Sequence, residues 1–203
     1  MNDVAHWAAL IALFCAAGWG VIIVLLHFAR PELRPSVAMI SEYARPPQGW
    51  IMQAAFFCAA AACFALICAA WSVVALTPLV LLALVGLGFA GAGIFVTDPV
   101  FIGKGAETGS GRLHLLFAVD VMVLFPIMAT TFDAGVGSVP KWAGLHPWLP
   151  ALSILVWAGL LVFIAASVYS ARNDKAPVGY AERFLVLTFT IWLLAMSAAA
   201  VFG

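Results

Sequence analysis

Charge is what this chain has least of. Of its 203 residues only 9% are Asp, Glu, Lys or Arg, nine of each sign, where an ordinary soluble domain carries about a quarter. That scarcity excludes a soluble fold of this length, which needs a hydrated, charged surface. A net charge of zero with no basic run excludes a nucleic-acid partner, whose phosphates call for an excess of Lys and Arg. Histidine is limited to His6, His27, His114 and His146. At most two of them share one side of the chain's layout, so a three-histidine zinc site cannot be built and no metal is assigned. Axial haem ligation fares no better: a helix joining His6 to His27 would hold them about 30 Å apart and push both haems to the interfaces. The sequence assigns no cofactor. The four cysteines, Cys15, Cys58, Cys63 and Cys68, all fall in apolar runs at spacings that collect on no helix face, which reads as small packing residues rather than a disulfide or metal framework. Phosphate loops are absent too. Gly103-Lys104-Gly105 lacks the flanking pattern of one, and the glycines of Gly86–Gly93 lie within an apolar run, where they suit close helix packing.

What the chain has instead is hydrophobic sequence, 66% of all residues, with a mean hydropathy of +1.12. Long apolar runs fall at Trp7–Phe28, Trp50–Trp71, Thr77–Val96, Leu113–Phe132, Leu149–Tyr169 and Tyr180–Phe202. Each is close to the roughly 20 residues that carry a helix across about 30 Å of hydrocarbon. The expectation is an all-α, polytopic integral membrane bundle of six transmembrane helices, with residues 1–203 forming a single domain. The first run is too long for a signal-peptide core and follows Asp3 rather than basic residues, so it is expected to stay as the first span. Arg30, Arg34, Arg45, Lys104, Arg112, Arg172, Lys175 and Arg183 all fall on one side of the spans and only Lys141 on the other. The positive-inside bias therefore predicts loops one, three and five in the cytoplasm and both termini on the outer, periplasmic or extracellular, side of a cell inner membrane.

The connection Arg30–Trp50, RPELRPSVAMISEYARPPQGW, is the one place where charge and proline gather. Pro31, Pro35, Pro46 and Pro47 each lack a backbone donor, so neither flanking helix runs through it. Between them Ser36–Ala44 reads as two helical turns with Ser36 as cap and Val37, Ile40 and Ala44 on one side, lying over the cytoplasmic mouth of the bundle.

Three short motifs occur in a fixed order: Ser41-Glu42-Tyr43-Ala44 followed by Gly49-Trp50 opening a span, Phe95-Val96-Thr97-Asp98-Pro99 closing the third, and Leu113-His114-Leu115 opening the fourth. In these the chain resembles the bacterial and archaeal six-helix membrane family catalogued as domain of unknown function 998. The resemblance spans nearly the whole chain and implies the six-span bundle. That family has no agreed activity to carry over.

Ser41, Glu42, Asp98 and His114 all fall at the cytoplasmic ends of spans, where ionisable groups are costly unless paired or functional. They are the candidate polar pocket, against the bland alternative of a capping network. Asp120 joins them as a carboxylate two turns inside the fourth span, expected to face the bundle interior and to be protonated, hydrated or paired, with Arg183 or His27 as the candidate partners. Pro126 beyond it suggests a kink that opens space nearby. The reading that follows is a small bundle binding a lipid or other apolar ligand through a polar pocket at its cytoplasmic face. A lipid hydrolase using Ser41, His114 and Asp98 and an accessory subunit of a larger complex are the alternatives. The implied partners are the lipid bilayer, an apolar ligand, and a membrane-protein partner or second copy packed on the small-residue helix faces.

Overall fold

The computed structural model describes residues 3–99, 108–173 and 177–203, and every regular element among them is helical. Six helices are long and apolar enough to span a membrane: α1 Asp3–Ala29, α2 Gly49–Ala70, α3 Leu76–Ile94, α4 Gly109–Val136, α5 Leu149–Ser170 and α6 Val178–Phe202. Each corresponds to one expected span. Helix α4 is the one that outgrows its span most, reaching 28 residues. Its N-terminus is fixed by Thr108, whose Oγ1 accepts the Gly111 N–H at 2.9 Å. That cap draws Gly109-Ser110-Gly111, which reads as a flexible lead-in, into the first helical turn.

Each helix packs on the next in sequence and α6 closes back on α1, giving a ring of six. The buried faces of α1 and α2, which pack on each other, are rich in small residues: Ala8, Ala12 and Ala16 recur every fourth residue on α1, and Ala55, Ala59 and Ala62 are buried on α2. Such faces let helix backbones approach without a hydrophobic drive, which lipid tails would not supply. Between α3 and α4 the close approach depends on glycine. A side chain at Gly91 would collide with the Phe117 ring, and one at Gly88 with Asp120 and Val121. Aromatic residues fill the centre, Phe125 stacking on Phe189 at 4.0 Å with Trp192 edge-on to Phe125 and Phe132.

The α1–α2 connection folds back onto the bundle, but not as the two helical turns predicted over Ser36–Ala44. Ser36 stands in a turn, and only Ile40–Ala44 coils, as a short 3₁₀ helix. Two hydrogen bonds account for the difference. The Ser36 carbonyl accepts the Gly179 N–H of α6 at 3.1 Å, and Glu42 Oε1 turns back to accept the Met39 N–H at 2.9 Å. The residues before Met39 are thus pinned to α6 instead of winding a turn. Ala38, Ile40, Tyr43 and Ala44 are buried beneath the loop, while Val37 stays 42% exposed and does not join that face. Arg30, Arg34, Arg45, Arg112, Arg172 and Arg183 share the loop's end of the ring, and Lys141 sits at the other. There burial pushes the Lys141 ammonium below its ordinary value as it lies over the Trp142 ring. Lys104 and Lys175, and with the former the Gly103-Lys104-Gly105 run, lie outside the described residues.

Candidate functional site

Two adjacent residues at the start of α6 hold the loop down. Glu182 is buried, and its carboxylate accepts the backbone N–H groups of Ile40 and Ser41. Arg183 takes the opposite kind of partner: its Nη1 donates to the carbonyls of Pro35 at 3.0 Å, Ala38 at 2.7 Å and Gly179 at 2.9 Å. Its Nε donates to His27 Nε2 at 2.7 Å and its Nη2 to the Tyr43 hydroxyl at 3.3 Å. The His27 tautomer follows from this pattern. Its Nδ1 lies 2.7 Å from the Ile23 carbonyl, which can only accept, so Nδ1 carries the proton and Nε2 offers the lone pair to Arg183. Gly179 is required at this junction because a Cβ would strike the carbonyl oxygens of Pro35 and Ala38.

The α3–α4 corner is built the same way, from side chains that satisfy helix ends. Asp98 accepts the Thr108 N–H at 2.9 Å and the Thr108 hydroxyl at 2.8 Å. A side chain at Gly111 would overlap that carboxylate, which is why the first turn of α4 is glycine there. The last carbonyls of α3, which have no partner inside the helix, are taken by side chains: Gln53 Nε2 donates to Gly93 at 3.0 Å, and His114 Nδ1 donates to Phe95 at 2.8 Å and Ala92 at 3.1 Å. His114 is only 3% exposed and lies edge-on to the Phe56 ring.

Between the loop, the corner and the helices lies a cavity of about 300 Å³, at the lower end of the range for small-molecule sites. Trp19, Phe56, Phe89 and Phe189 line it from α1, α2, α3 and α6. Its polar lining comes from Ser41, Asp98, His114 and Glu182, with Thr97 beside them. Leu115 and Val119 of α4 also line it while remaining 53% and 47% exposed, so the cavity opens sideways along α4. Pro126 lies beyond its last lining residue on α4, Met122, buried within a helix that continues past it.

Of the five residues singled out from the sequence, Ser41, Asp98 and His114 line this one cavity. Glu42 does not line it: buried beneath the loop, it is spent on the Met39 N–H and on Arg45, 3.4 Å away. Asp120 does not line it either. It is half-buried against Gly88 of α3, and no hydrogen bond or ion pair reaches it among the described residues. Of the alternatives for Asp120, pairing with Arg183 or His27 is not formed, because those two are bonded to each other and to the loop. The Ser41, His114, Asp98 relay is not assembled as drawn, since His114 Nδ1 is engaged by backbone carbonyls rather than by a carboxylate.

Two buried carboxylates escaped the sequence reading. Glu182 was masked by its neighbour Arg183, because a charged pair at the mouth of a span looks interfacial. Asp133 follows directly on the expected fourth span, Leu113–Phe132, yet it is buried and accepts the Trp192 Nε1–H at 2.9 Å and the Ser153 hydroxyl at 2.6 Å, tying α4, α5 and α6 together. The signal for both was the one that flagged Asp120, an acidic residue within apolar sequence. Among the described residues no group of three His, Cys, Asp or Glu side chains is placed to hold a metal ion.

A ring of six apolar helices, its ends tied by buried polar side chains, defines a polytopic helical membrane protein. The chain belongs to the family described as Protein of unknown function (DUF998), whose model matches residues 8–199. No curated protein and no solved structure matches it.

Proposed function

We propose that this protein binds a lipid-like ligand in the cavity beneath the α1–α2 loop, with the ligand's apolar chain among Trp19, Phe56, Phe89 and Phe189 and its polar end near Ser41, Asp98, His114 and Glu182. The observation that carries this reading is the cavity itself, an aromatic chamber with a few convergent polar groups, which is the usual form of a small-molecule site. Its sideways opening at Leu115 and Val119 favours entry from the bilayer rather than from water. The basic residues gathered at the loop's end argue for that end being cytoplasmic in a cell inner membrane, with both termini outside. A cysteine introduced for Arg34 that reacts only with reagent added from outside would reverse that orientation.

Ala118 lines the cavity from α4, so Ala118→Phe fills it without touching the polar groups. A fluorescent single-chain lipid should bind the purified wild type and lose at least tenfold in affinity, about 1.4 kcal/mol, in Ala118→Phe. The variant should unfold no more easily than the wild type. Equal binding by both proteins refutes the reading.

A further inference from the structure

The polar lining of the cavity is one-sided in its hydrogen-bonding chemistry. His114 Nδ1 is held as a donor by the carbonyls of Ala92 and Phe95, and nothing among the described residues bonds its Nε2. In the neutral ring that nitrogen is a lone-pair acceptor on a side chain 3% exposed and lining the cavity. Glu182 and Asp98 are carboxylates, which accept when ionised, and Ser41 adds a hydroxyl that works either way. Among the described residues no Lys or Arg lines the cavity. Arg183, the nearest candidate in sequence, has its guanidinium committed to the loop carbonyls, His27 and Tyr43.

We infer that the ligand is a single-chain amphiphile whose head group is a non-anionic hydrogen-bond donor, a long-chain alcohol or amine. This rests on the cavity being a lipid site and adds which lipids it takes. A carboxylate head would bring negative charge against the buried Glu182, as would a phosphate, and would leave the lone pair of His114 without a proton to accept, costs that a partly desolvated site does not relieve. A hydroxyl or ammonium head supplies the missing proton. The volume of about 300 Å³ gives room for one chain rather than the paired chains of a phospholipid.

The test is a head-group series of constant chain on the purified wild-type protein: 1-dodecanol, dodecylamine, dodecanoate and dodecyl phosphate, each competing against the fluorescent single-chain lipid. The alcohol and the amine should compete at least tenfold more strongly than the acid and the phosphate. His114→Phe, which removes the acceptor, should narrow that gap if it folds, and the wild-type series stands without it. Equal or stronger competition by dodecanoate or dodecyl phosphate overturns the inference and leaves the lipid site standing. If none of the four competes and the fluorescent lipid itself fails to bind, the lipid site falls and the inference with it.

Discussion

Two aspartates on α4 show how a residue's partners, rather than its type, set its worth. Asp133 receives the Trp192 indole N–H and the Ser153 hydroxyl, whereas Asp120 receives no hydrogen bond among the described residues. Replacing Asp133 by Leu should cost about 1–3 kcal/mol for each donor left buried without an acceptor. Asp120→Ala should cost under about 1 kcal/mol, because it strands nothing. Thermal unfolding of both variants in mild detergent checks this, and an Asp120→Ala loss as large as that of Asp133→Leu would reveal a partner for Asp120. The sequence made Asp120 conspicuous because it interrupts LHLLFAVDVMVLFP. It could not show that Gly88 on another helix leaves room for that carboxylate, nor that Trp192 and Ser153 converge on Asp133 from two others. Pattern along a chain reports burial well, but it reports pairing across helices poorly. For the same reason Ser41, Asp98 and His114 were legible as residues at span ends, while Glu42, turned back on its own loop, could not be told apart from Glu182, which faces the cavity.

At the scale of elements the α1–α2 loop is the instructive case. Its prolines and its place at the mouth were readable, since Pro31, Pro35, Pro46 and Pro47 deny continuation to both flanking helices. Its local form was not. Helical periodicity over Ser36–Ala44 competes with the Ser36 carbonyl bonding to Gly179 and the clamp from Glu182 and Arg183, and the tertiary bonds win. The clamp predicts a specific intolerance. Arg183 donates through Nε, Nη1 and Nη2 in three directions, which a lysine ammonium at the end of a flexible stem cannot reproduce. Arg183→Lys should therefore lower stability by roughly 2–3 kcal/mol, the range for losing one or two charge-assisted hydrogen bonds, and should speed proteolysis or cysteine labelling at Val37. A lysine variant as stable and as protected as the wild type would mean that the loop is held by its buried Ile40, Tyr43 and Ala44 alone.

For the whole molecule, the number and order of the spans follow from hydropathy, but the closure of the ring does not. Nothing in the apolar runs says that α6 returns to α1, and it is that closure which brings Glu182 and Phe189 opposite Asp98 and His114 around one space. At the closing contact Gly20 of α1 is where a Cβ would meet the Thr190 methyl of α6 at 3.2 Å, a small residue whose partner only the fold specifies. On the proposal above, the enclosed space holds a lipid chain. The measurement that bears on it most directly is photo-crosslinking in native membranes with a long-chain alcohol carrying a diazirine near its chain end, followed by mass-spectrometric mapping of the labelled residues. Labels are expected on buried lining residues such as Phe89, Val121 and Phe189, competed away by excess 1-dodecanol and missing in Ala118→Phe. Labels confined to outward-facing residues such as Phe14 and Leu161, unaffected by competitor, would contradict it.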